Sequence, residues 1–69
     1  MNLRRIVADC SFVERESAIK ECIEIARTHK TTVELTVYKD CLKNKVVLTL
    51  NKNSKEDKVL RYIVKQIKD

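Results

Sequence analysis

The chain has 69 residues, none of them glycine or proline, with 43% hydrophobic and 36% charged residues and a formal net charge of +5. Without glycine there is no Gly-rich phosphate loop, nucleophile elbow or dinucleotide fingerprint. A chain this short makes a single domain, residues 1–69, burying only about 60% of its unfolded surface, which favours a binding surface over a deep, dry active site.

The N-terminal stretch, Met1 to Phe12, carries Arg4 and Arg5 but no apolar run long enough for a signal sequence or a membrane span, so an intracellular, cytoplasmic protein with no membrane partner is expected. Within it Ile6, Ala8, Cys10 and Phe12 recur at period two between Val7, Asp9 and Ser11, the pattern of a half-buried strand. Ser11 and Glu14 have the spacing of a capping box, so a helix is expected to begin there.

In that helix Ala18, Ile19, Cys22, Ile23, Ile25 and Ala26 gather on one side, and Glu14, Glu16, Ser17, Lys20, Glu21, Glu24 and Arg27 on the other. Glu16 and Lys20 form a favourable i, i+4 pair, while Arg27, His29 and Lys30 lie where the negative end of the helix dipole favours cations.

From Thr31 to Tyr38 the period returns to two, with Val33, Leu35 and Val37 facing one way and Thr32, Glu34, Thr36 and Tyr38 the other. After Lys39 to Asn44 the alternation resumes in Val46, Leu48 and Leu50 against Val47 and Thr49, which predicts a hairpin. Asn44 is the expected left-handed turn residue; a two-residue turn at Lys43 and Asn44 would set Cys41 opposite Val46 on the inner side.

Asn53 or Ser54 is expected to cap a final helix, with Glu56 and Asp57 in its first turn and Lys65 and Lys68 in its last. Its apolar stripe is Val59, Leu60, Ile63, Val64 and Ile67, and Asp57 to Arg61 adds an i, i+4 pair. The order predicts an α+β fold, β-α-β-β-α, with a three-stranded, mostly antiparallel sheet and both helices packed on one face. The third strand would lie between the other two, and the second at an edge. Over Ser54-Lys55-Glu56-Asp57-Lys58 and the order of elements the chain resembles the small DNA-damage-inducible regulators of the DinI type. Those look acidic on the last helix where this chain is basic, so no recombinase contact carries over to its residues.

No acid, base and nucleophile converge in the pattern, so no enzyme, catalytic residue or cofactor is expected. A zinc site would have to draw together Cys10, Cys22, His29 and Cys41, which lack any Cys-x-x-Cys pair, so no metal site and three free thiols are expected.

Charge is the informative feature. Residues 39–69 carry nine Lys or Arg against four Asp or Glu. On the last helix Lys55, Lys58, Arg61, Lys65 and Lys68 fall in one sector opposite the apolar stripe, with Tyr62 at its margin. Such a row can follow a line of phosphates and release counterions, the footprint of nucleic-acid binding; lysine over arginine suits backbone attraction better than base reading. The same row would also keep a small domain soluble without binding anything. The alternative is a protein-interaction or regulatory module that docks on a larger protein, or a homodimer, through an open sheet face or edge bearing Thr32, Glu34, Thr36 and Tyr38.

Overall fold

The computed structural model describes residues 6–67, except for the side chains of Cys41 and Leu42. Strand β1, Ile6–Ser11, passes through a 3-10 turn, Phe12–Glu14, into helix α1, Arg15–His29; β2, Val33–Lys39, and β3, Cys41–Leu50, follow, and helix α2 spans Glu56–Gln66. The fold is the expected α+β arrangement, but its sheet is mixed. β2 lies in the centre, pairing parallel with β1 and antiparallel with β3. Thus the third strand is not interposed, and β2 is not an edge. A helix-linked crossover returns β2 parallel beside β1, and the hairpin then leaves β3 only the outer side of β2.

The alternation places three rows of side chains under the helices. Ile6, Val33 and Leu50 share the first, Ala8, Leu35 and Leu48 the second, and Cys10, Val37 and Val46 the third. Helix α1 adds Ile19, Cys22, Ile23 and Ala26, α2 adds Ile63, and Ile67 just beyond it completes the same buried cluster. Both helices therefore cover one sheet face. Ile19, Leu35, Leu50 and Ile63 are among the largest fully buried side chains, each stabilising the fold by about 1.5–3 kcal/mol relative to exposure.

Among the described residues the chain turns without glycine at two left-handed positions. Lys30 ends α1 at φ 51° and ψ 47°, its amide and that of Thr31 both donating to the Ala26 carbonyl. That C-terminal motif uses up Thr31, so β2 starts at Val33 and Thr32 lies outside it. Asp40, at φ 69°, turns the hairpin in place of Asn44. Aspartate tolerates this region as asparagine does, and the turn sets Lys39 against Cys41 and Val37 against Val46, with a bulge between Tyr38 and Lys39. The expected pairing of Cys41 with Val46 is therefore absent; where the Cys41 side chain points lies outside the described residues.

Neither expected cap forms. Ser11 is still paired with Tyr38 in the sheet, and its hydroxyl donates to Glu14 Oε1 at 3.3 Å rather than bridging to the backbone. The 3-10 turn shifts the start of α1, making Glu14 its N-cap residue. Ser54 lies one residue too early to cap α2, whose N-cap is Lys55. Its Oγ instead accepts from the Asn51 amide at 3.0 Å, and Asn51 Oδ1 accepts from the Asn53 amide at 2.8 Å. These bonds fix the β3–α2 connection.

Candidate nucleic-acid interface

Ile63 and Ile67 anchor α2 inward, flanked by the half-buried Val59 and Leu60. At about 100° per residue Lys58, Arg61 and Lys65 fall on the opposite side, and all three are exposed. They span about 10 Å at 1.5 Å rise per residue, a length over which one strand of duplex presents about three phosphates. Among the described residues, no carboxylate lies within ion-pairing distance of any of the three. The expected pair between Asp57 and Arg61 does not form.

Tyr62, 45% exposed, follows Lys58 by four residues and precedes Lys65 by three, so its ring borders the row. Lys55 is exposed but belongs to the extended N-cap backbone, at φ −101° and ψ 123°, and lies at the entrance to the row. Lys68 lies outside the described residues. Val64, assigned to the apolar stripe by the sequence, is instead 52% exposed on the flank opposite Tyr62. It falls about 100° round the helix from Ile63, beyond the reach of the core.

Cations on α1 are engaged differently. Arg27 Nη1 donates to Glu24 Oε1 at 2.9 Å, and Lys20 Nζ reaches Glu56 Oε2 at 3.9 Å, joining the two helices instead of pairing with Glu16. All four line a groove of about 370 Å³ between α1 and the start of α2, with Ile23 and Ser54. Opposite charges balance there, so the groove lacks the uncompensated field of the α2 row.

The open sheet face is a second surface. Glu34, Thr36 and Tyr38 occupy its centre, flanked by Val7, Asp9 and Ser11 on β1 and by Thr49, Val47 and Lys45 on β3. Val7 is 65% and Val47 48% exposed. Of the expected protein-binding residues, Glu34, Thr36 and Tyr38 thus share one line, whereas Thr32 is exposed ahead of the strand.

The two described thiols, Cys10 and Cys22, sit on the covered side. Burial pushes the Cys10 and Cys22 thiols above their usual range; Cys22, Glu14 and Asp9 add to the effect at Cys10, and Glu21 at Cys22. Both remain protonated at neutral pH, a poor state for a nucleophile. Among the described residues no three His, Cys, Asp or Glu side chains gather as a metal site, and His29 is exposed at the end of α1. No described helix is long and apolar enough to cross a membrane.

A cluster that periodicity did not reveal joins the end of β1 to the start of α1. Phe12 leaves the strand and takes a cation on its ring from each of two elements, Arg15 at 4.0 Å and Lys39 at 4.9 Å from the centroid. Its signal in the sequence is the i, i+3 spacing of Phe12 and Arg15. Comparison of the chain with known protein families, characterised proteins and solved structures gives no match.

Proposed function

We propose that this chain is a small non-catalytic module that contacts nucleic-acid phosphates through Lys58, Arg61 and Lys65 of α2, with Lys55 and Tyr62 extending the surface and Lys68 adding a further cation from the sequence beyond it. One observation carries the reading: three exposed cations share one helix face, opposite Ile63 and Ile67, without a described carboxylate to neutralise them. A single aromatic and a predominance of lysine suit backbone attraction with low sequence specificity.

The test is a titration of labelled duplex and single-stranded nucleic acid over a range of salt concentrations. Binding should weaken steeply with salt, and Lys58→Glu/Arg61→Glu/Lys65→Glu should lower the slope of log affinity against log salt by about 3 on duplex DNA. Unchanged affinity in the triple variant, with its fold intact, would rule the reading out.

Exposed Val7 and Val47 beside Tyr38 support a second reading, in which a larger protein docks on the open sheet face. Partner capture lost in Val47→Lys but kept in the α2 triple variant would favour it.

A further inference from the structure

The chain has one phenylalanine and two tyrosines, and their rings are not equally available. Phe12 is half-buried and already carries Arg15 and Lys39 on its ring. Tyr38 is half-buried in the centre of the open sheet face, in register with Ser11 and Lys45. Tyr62 is 45% exposed, and among the described residues no cation covers its ring. Its neighbours one turn away on the helix surface are Lys58, Val59, Lys65 and Gln66, none of them acidic. The two acids of α2 lie elsewhere: Glu56 reaches Lys20 of α1, and Asp57 falls on the Val64 flank. An open aromatic face therefore lies between two exposed lysines set about 10 Å apart along the helix.

The packing of α2 restricts what can use that face. Helix α1 lies alongside it in the same layer on the sheet, joined to it by Lys20 and Glu56 and forming with it the walls of one groove. Each helix is about 10–12 Å across with its side chains, and the major groove of duplex DNA is about 12 Å wide, so the pair is too broad to enter. A duplex meets the row only along its backbone, where the stacked and paired bases are out of reach of Tyr62. A single strand bends to follow a short row and presents open base faces.

We infer, building on the phosphate reading of α2, that this surface takes single-stranded nucleic acid, Lys58 and Lys65 holding phosphates of the strand while a base between them stacks on Tyr62. Every base has a face to offer, so the contact tolerates any sequence, in keeping with a row made mostly of lysine.

The chain has no tryptophan, so in a Tyr38→Phe variant Tyr62 alone supplies the intrinsic fluorescence. Titration with an unstructured thymidine oligonucleotide should quench that emission, and a duplex of mixed sequence should quench it less. The same strand, labelled, should bind more tightly than the labelled duplex at equal salt. Tyr62→Ala, a better helix former at an exposed position, should lower the ratio of strand to duplex affinity at least about fivefold, and Tyr62→Phe should restore it. A duplex bound as tightly as the strand, a ratio unmoved by Tyr62→Ala, or Tyr62 emission unchanged on binding overturns the inference. Each of those results leaves the phosphate reading standing, because Lys58→Glu/Arg61→Glu/Lys65→Glu decides that separately. If neither strand nor duplex binds, both fall.

Discussion

The Arg15 guanidinium lies over the ring of Phe12, 4.0 Å from its centroid, while Nη1 of the same side chain donates to the Phe12 carbonyl oxygen at 2.7 Å. One residue thus holds both the side chain and the backbone of the segment that joins β1 to α1. Its Nε is buried without an acceptor, which offsets part of the gain. Phe12→Ala should cost about 2 kcal/mol, less than for a fully buried ring, and Arg15→Met about 1 kcal/mol or less. A double-mutant cycle by urea denaturation should give a coupling of about 0.5–1 kcal/mol; strictly additive losses would show that the stacking is idle.

Lys30 holds a left-handed conformation that costs a side-chain-bearing residue about 1–2 kcal/mol, whereas Asp40 is of a type that visits this region readily. Lys30→Gly should therefore stabilise the fold by about 1 kcal/mol, and Asp40→Gly by less. Lys30→Ala supplies the control, since it removes the charge but keeps the Cβ. Equal midpoints for the glycine and alanine variants in chemical denaturation would contradict the argument.

The raised thiols of Cys10 and Cys22 give alkaline pH a defined effect. An unfolded thiol ionises near pH 8.5 and the folded ones higher, so above that pH the unfolded state binds fewer protons and stability declines with rising pH. The thiol contribution is fully present below about pH 8 and is lost as pH rises through the folded-state values. Under reducing conditions, Cys10→Ala/Cys22→Ala should show a shallower decline than the parent as the pH rises above about 8. Parallel slopes would refute it.

The two sides of α2 should respond very unequally to substitution. Ile63 is fully buried, so Ile63→Ala should cost about 2–4 kcal/mol, a large part of the stability of so small a domain. Changes at exposed Lys58, Arg61 and Lys65 should stay within about 0.5 kcal/mol each. Thermal unfolding monitored by circular dichroism separates these responses.

What the sequence disclosed was the facing of residues rather than their neighbours. Alternation in Val33, Leu35 and Val37, and again in Val46, Leu48 and Leu50, identified the inward rows, and the 3.6-residue spacing identified Ile19, Cys22 and Ile63. Periodicity within a strand does not say which strand lies beside it, so the central place of β2 stayed hidden. The turn was ambiguous for a chemical reason: Asp40 and Asn44 both tolerate left-handed backbone, and only the register of Val37 with Val46 decides between them. Caps failed where the residue was already engaged, the Ser11 backbone in the β1–β2 pairing and the Ser54 hydroxyl on the Asn51 amide. The cation row was legible because Lys58, Arg61 and Lys65 repeat at helical spacing; Lys55 was misplaced because the helix begins after it.

The central position of β2 also governs the order in which the chain can assemble. Its pairing with β3 closes a short local loop, whereas Ile6 meets Val33 only after all of α1 has intervened. Local closures form fastest, so the hairpin is the natural seed, and β1, which precedes it in the chain, docks after it. Until then β1 remains an unsatisfied ribbon, most in need of shelter while the hairpin that will receive it is still being translated.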